Sequence, residues 1–186
     1  MTILSMTNPV KRILGESEVF RTVKLPESVA GYLFLHSMPG RYETYEDASR
    51  EIARHQIACV VCLAPFAEVK TKAPDYGQAI ETRRLLWDQE MCPVPDYGVP
   101  GDCDAFWRLA QRLALRLQTG EHILIHCGAG IGRTGTLAMC VLLALGSPLN
   151  QVRAAVQDAG SSPETPAQHQ VVSWAATQGS AREAEL

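Results

Sequence analysis

The ten residues His126-Cys127-Gly128-Ala129-Gly130-Ile131-Gly132-Arg133-Thr134-Gly135 constrain this chain more than any other stretch. A cysteine and an arginine bracket five small or apolar residues, and a hydroxyl follows the arginine. Upstream, Ile123-Leu124-Ile125 is an apolar run suited to a strand buried on both faces. Downstream, residues 136–145 are almost entirely apolar, which suits a helix inside a core. The loop therefore joins the end of a strand to the start of a helix, where backbone N–H groups lack partners and gather anions.

Each residue type has a reason to be there. A thiol attacks as its thiolate, and a helix N-terminus beside a fixed cation favours that form. Arg133 supplies the cation, and its planar fork matches two oxygens of one phosphate. Gly128, Gly130 and Gly132 let the backbone curl around those oxygens. The Thr134 hydroxyl is placed to hydrogen-bond the sulfur and stabilise it as a leaving group. The stretch reads as a phosphate cradle with Cys127 at its floor. A second feature, Pro95-Asp96-Tyr97-Gly98-Val99-Pro100, sets an acid in a turn flanked by prolines.

The cradle resembles the signature loop of the cysteine-dependent protein tyrosine and dual-specificity phosphatases, Cys–five residues–Arg–Ser/Thr, including the preceding histidine and the Gly-Arg-Thr-Gly ending. The Asp96 turn resembles the mobile loop that carries the general acid in that superfamily, at a typical separation from Cys127. The likeness is to the small dual-specificity-type members and covers about residues 30–176. Residues 38–62 distantly resemble the kinase-associated phosphatases.

This resemblance implies a phosphomonoester hydrolase that uses no metal or cofactor. Cys127 would be the nucleophile, and Arg133 with the N–H groups of Gly128, Ala129, Gly130, Ile131 and Gly132 would hold the phosphate. Asp96 would serve as acid and then base, while Thr134 and His126 tune the sulfur. Tyr97 and Arg41 stand where substrate contacts are made. Gln168 matches a glutamine that orients the hydrolytic water, yet Thr165 and Gln168 also form a helix capping box, and both readings stand. The implied substrates are phosphotyrosine, with phosphoserine and phosphothreonine, of proteins. A small phosphomonoester such as an inositol or sugar phosphate is the alternative, weakened because Gly128 to Ile131 carry no charge. A non-catalytic phosphoprotein-binding module is a further alternative. Related enzymes have a cysteine at the strand end matching Cys62, so the likeness also implies a reversible Cys62–Cys127 disulfide under oxidation.

Two nucleotide motifs are decoys. Gly130-x-Gly132-x-x-Gly135 matches the dinucleotide fingerprint, but no strand with a ribose-binding acid follows at the needed distance. A Walker loop needs lysine where Arg133 stands. Cys59 and Cys62 form Cys-x-x-Cys, yet residues three apart on a strand point to opposite faces and cannot share a metal. His36, His55, His122 and His169 show no metal-ligand spacing.

At 186 residues one domain is expected, with an arm over 1–17, a catalytic domain over 18–178 and a frayed tail over 179–186. A net charge of −3 argues against nucleic acid and anionic membrane surfaces as partners. The longest apolar run is too short to span a bilayer, and residues 1–10 lack the apolar block of a signal peptide. Six scattered cysteines suggest no disulfide framework, which points to the cytoplasm.

Strands are predicted over 19–24, 32–36, 57–63 and 121–125, with an extended piece ending at Pro93. Helices are predicted after the Thr44 cap, over 76–85, from the Asp102 cap to about Gln118, after Ser147-Pro148 and after Thr165, the last burying Val171, Val172 and Trp174. Residues 64–75 read as a loop carrying Lys70 and Lys72. Strands alternating with helices predict a single three-layer α/β domain, with a mainly parallel sheet of four to five strands flanked by helices.

Overall fold

The computed structural model describes residues 19–183. In chain order they form β1 (Arg21–Val23), β2 (Tyr32–His36), α1 (Tyr45–Arg54), β3 (Ile57–Cys62), α2 (Phe66–Lys72) and α3 (Pro74–Glu81). Then come β4 (Asp88–Met91), α4 (Cys103–Gln118), β5 (His122–His126), α5 (Gly132–Ala144), α6 (Leu149–Asp158) and α7 (Pro166–Glu183). The strands make one sheet in the order β1-β2-β5-β3-β4. β1 runs antiparallel to β2, and the other pairings are parallel. This is the three-layer α/β arrangement expected from the alternation of elements.

Side-chain alternation along the strands divides the core. Leu33, Leu35, Cys59, Val61, Ile123 and Ile125 pack with residues of α4, α5, α6 and α7 on one face. Phe34, Val60 and Leu124 pack with Ile52 of α1 on the other. Met38, Cys62 and Ala64 meet Val69 of α2 and Tyr76 of α3. Each fully buried aliphatic side chain contributes about 1.5–3 kcal/mol, so β5, covered on both faces, is firmly held. Cys59 and Cys62 fall in separate clusters on opposite faces, as their spacing required.

The caps explain the helix starts. The Thr44 side chain accepts from the Asp47 N–H at 3.1 Å, and Asp102 Oδ1 accepts from the Ala105 N–H at 2.8 Å. The arginine face of α4 turns toward the edge strand, where Arg116 donates to Asp88 at 3.0 Å and Arg112 pairs with Glu90.

Several boundaries differ from expectation. Residues 64–75 are not a loop, because α2 and the start of α3 lie there. Pro65 precedes α2, Pro74 is its successor's first residue, and Lys72 pairs with Glu68 one turn away. β1 shrinks to three residues, and α5 begins inside the signature loop rather than at Thr136. Val171 and Val172 are buried in α7, but Trp174 is only half-buried. α7 continues to Glu183, past the point where fraying was expected, while the arm over 1–17 and residues 184–186 lie outside the described residues.

Candidate active site

Cys127 follows the last residue of β5, and α5 starts five positions later, with Ile131 as its N-cap residue. The Gly130 N–H donates to Cys127 Sγ at 3.3 Å. Among the described residues, the N–H groups of Gly128, Ala129, Ile131, Gly132 and Arg133 have no hydrogen-bond partner, so five donors remain for an anion at this helix start. Gly130 has φ +76, and a Cβ there would overlap the His36 carbonyl oxygen, so glycine is required on both counts. Cys127 is buried at 3% exposure, while Ala129 and Ile131 are exposed.

Arg133, 4% exposed, is clamped from two sides. Nη1 donates to Glu68 Oε2 at 2.8 Å and Nη2 to Glu68 Oε1 at 3.0 Å, a bidentate pair reaching from α2. From the acid turn, the Val94 carbonyl accepts from Nη1 at 3.1 Å and Asp96 Oδ1 from Nη2 at 2.7 Å. The hydrogen bonds from Arg133 outweigh burial and hold the Glu68 carboxyl down at about 2, with Lys72 at 2.7 Å adding to the effect. Burial works against the Arg133 charge, but Glu68, Cys127 and Asp96 more than offset it and raise its pKa. Lys72 also lies 3.8 Å from Asp96 Oδ2.

His126 is fully buried, and that burial drives its pKa down to about 4, so the ring is neutral at physiological pH. Its Nδ1 lies 3.1 Å from the Cys127 carbonyl and its Nε2 3.0 Å from the Tyr76 hydroxyl, which itself donates to Gln89 Oε1 at 2.8 Å. Thr134 is buried, and its hydroxyl has no partner among the described residues. The Met38 N–H donates to the Gly128 carbonyl at 3.1 Å, fixing the β2–α1 connection against the cradle. Arg41 in that connection sits beside Gly128 and stacks over the Tyr42 ring at 4.7 Å.

The acid turn is tight. The Gly98 N–H donates to the Pro95 carbonyl at 2.8 Å, and Tyr97, 63% exposed, holds φ +56. Gln168 is buried and engaged at every polar group. Its Nε2 donates to the Gly98 carbonyl at 3.0 Å, Oε1 accepts from the Glu164 N–H at 2.8 Å, and its own N–H donates to Thr165 Oγ1 at 3.3 Å. It therefore caps α7 and ties the acid turn down at once. Cys62 stands opposite His126 in the β3–β5 register, and its thiol, pushed up to about 12 by burial, donates to the Ala64 carbonyl at 3.6 Å.

The structure thus brings Cys127, Arg133, Asp96, Thr134 and His126 to one place, beside Tyr97, Gln168 and Arg41. Glu68 and Tyr76 went unrecognised in the sequence, as did Val94, which contributes through its backbone. For Glu68 the signal was present, since Glu68 and Lys72 have the i,i+4 spacing of a helical ion pair.

The family model described as "Swiss Army Knife protein, DSP-PTPase phosphatase domain" matches residues 29–184. The chain belongs to that family. Among curated relatives, human receptor-type tyrosine-protein phosphatase H is 47% identical over 53 residues, covering 26% of this chain and 5% of the relative. Rat cyclin-dependent kinase inhibitor 3 is 37% identical over 62 residues, covering 33% of this chain and 29% of the relative. The chain spans less than a third of either relative. A crystal structure of kinase associated phosphatase, carrying serine for its catalytic-site cysteine, matches with a TM-score of 0.71 at 18% identity, covering 82% of this chain and 90% of that one. This phosphatase domain therefore has the dual-specificity-type fold. No helix among the described residues is long and apolar enough to cross a membrane.

Proposed function

We propose that this phosphatase hydrolyses phosphotyrosine in proteins, with phosphoserine and phosphothreonine as further substrates, through a phosphocysteine intermediate and without a metal. The reading rests on one observation: Cys127 opens a loop whose N–H groups lack partners among the described residues and whose arginine is clamped by Glu68. Cys127 Sγ attacks phosphorus in line while the ester bond to the leaving oxygen breaks. Arg133 and the N–H groups of Gly128, Ala129, Ile131, Gly132 and Arg133 stabilise the equatorial oxygens. Asp96 gives its proton to the leaving oxygen. Water then attacks the phosphocysteine, Asp96 takes the water proton, and Cys127 leaves as thiolate with the Thr134 hydroxyl donating to it.

Asp96 Oδ1 accepts from Arg133 Nη2, so the acid and the phosphate clamp share one guanidinium, and a phosphate held by Arg133 turns the acid toward the leaving group. His126, neutral and anchored to Tyr76, orients the Cys127 carbonyl. Free thiols throughout the described residues suit a reducing compartment such as the cytoplasm.

The test is turnover of p-nitrophenyl phosphate with chelator present and its inhibition by vanadate, followed by a panel of phosphopeptides and of inositol and sugar phosphates compared by kcat/KM. Cys127→Ser should abolish turnover and keep phosphate binding. Asp96→Ala should lower kcat by roughly two to four orders of magnitude, most for poor leaving groups. Parental activity of Asp96→Ala on a phosphotyrosine peptide would remove the acid assignment. A panel in which small phosphates surpass every peptide would replace the protein-substrate reading.

A further inference from the structure

Arg21 lies on the antiparallel edge strand, far from the cradle in sequence, yet its guanidinium ends against it. Nη2 donates to the Gly130 carbonyl at 2.6 Å and Nη1 to the Gly160 carbonyl at 2.5 Å. Ser161 Oγ donates to the same Gly130 carbonyl at 2.7 Å. Two donors far apart in sequence, one on β1 and one in the α6–α7 connection, therefore converge on one oxygen.

That oxygen belongs to the Gly130–Ile131 peptide. In a planar trans peptide the carbonyl and the N–H point in opposite directions. Pinning the carbonyl outward aims the Ile131 N–H inward, and that N–H has no partner among the described residues. A flip of this peptide changes ψ of Gly130, which glycine permits, and φ of Ile131, which at −118 in a β-branched residue resists a turn to positive values. The two outside donors act on the same peptide in addition to that resistance.

We propose that Arg21, with Ser161, is a positioning residue that holds the Gly130–Ile131 peptide in its anion-binding orientation and places a second fixed charge behind the Cys127 sulfur. The proposal deepens the phosphatase reading and rests on it. The Gly130 N–H donates to Cys127 Sγ, so the guanidinium on the Gly130 carbonyl stands one peptide from the sulfur. The link to Gly160 also joins the α6–α7 connection, and hence Gln168 and the acid turn, to the same anchor.

The experiment compares Arg21→Ala, Arg21→Lys and Ser161→Ala with the parent in vanadate affinity by calorimetry, in the pH profile of kcat/KM for p-nitrophenyl phosphate, and in Tm. Arg21→Ala should weaken vanadate about ten-fold or more and move the acidic limb of kcat/KM up by about one pH unit. Arg21→Lys keeps the charge and loses the two-pronged grip, so its limb should stay while vanadate binding remains weaker than in the parent. Ser161→Ala removes one donor and no charge, so it should weaken vanadate by about three-fold with the limb unmoved. Should Arg21→Ala fail to fold, the other two variants carry the comparison. Parental vanadate affinity in Arg21→Ala and Ser161→Ala, with only Tm reduced, would overturn the proposal and leave Arg21 a structural tie. Because vanadate binding reads the cradle without turnover, weakened binding supports the proposal even if every phosphoester tested proved inert, an outcome that would sink the activity alone.

Discussion

A guanidinium that is 4% exposed must be paired to remain charged at no great cost, and Glu68 pairs Arg133 through both carboxylate oxygens. That pairing fixes the plane of the fork before any phosphate arrives. Glu68→Gln keeps the shape but sets an amide N–H₂ against an arginine N–H, so the fork loses its alignment. We expect kcat/KM for p-nitrophenyl phosphate to fall about ten- to a hundred-fold, and parental kinetics would remove Glu68 from the site's architecture. His126 makes a different demand. Its folded pKa of about 4 lies below the ordinary imidazole value of 6.5, so the unfolded chain takes up the proton first as pH falls. Stability contributed by the neutral ring is present above about pH 6.5 and declines toward pH 4 by roughly 3 kcal/mol. Glu68, held at about 2, loses its share lower still, from 4.5 downward. Urea unfolding at pH 7, 5.5 and 4.5 should show the His126 decline, and His126→Gln should flatten it. Equal slopes in the two chains would refute the assignment.

At the level of elements, the acid turn is secured by partners distant in sequence. Gln168 at the start of α7 holds the Gly98 carbonyl, and Arg133 at the start of α5 holds the Val94 carbonyl and Asp96. Gln168→Met, close in volume and lacking both amide functions, should cost about 1–2 kcal/mol of stability and speed amide hydrogen exchange over residues 96–99. On the proposed mechanism it should lower kcat more than it raises KM, because the turn would hold Asp96 over the leaving group only during chemistry. Unchanged exchange at Gly98 would show the tether to be idle. These links also explain what was legible in advance. Strands such as Tyr32–His36 and the capped helices α1 and α4 followed from local apolar runs and side-chain caps. That Cys127, Arg133 and Asp96 lie together could be anticipated because Cys127 and Arg133 share one strand–loop–helix motif and Asp96 sits in a short proline-flanked turn. Short α2 was not, since Val69 is its single buried residue and its lysines and flanking prolines look like loop signals. Glu68, Arg21 and Ser161 escaped because their contacts with the loop cross the fold, and no local period encodes a partner 65, 109 or 31 residues away.

Across the whole molecule, the parallel strands place their C-terminal ends side by side, and chemistry collects there. β5 delivers Cys127, β2 ends at His36 against Gly130, and β3 ends at Cys62 opposite His126. Cys62 ends β3 beside the β5 end that leads to Cys127, although Cys62 faces α2 and α3 while Cys127 belongs to the opposite core cluster. Cys62 alone is inert, since burial keeps its thiol protonated up to about 12. An oxidised Cys127 changes the balance: a sulfenic acid formed by peroxide is attacked by the neighbouring sulfur, water leaves, and a disulfide remains. The link requires the two strand ends to rotate so that sulfurs from opposite core clusters meet. Peptide mapping after mild peroxide should find the Cys62–Cys127 link, with activity restored by a dithiol reductant. Cys62→Ser should instead pass to irreversible overoxidation of Cys127 at the same dose. Parent protein that shows only unlinked, overoxidised Cys127 would mean that the core clusters hold the two sulfurs apart on the timescale of the reaction.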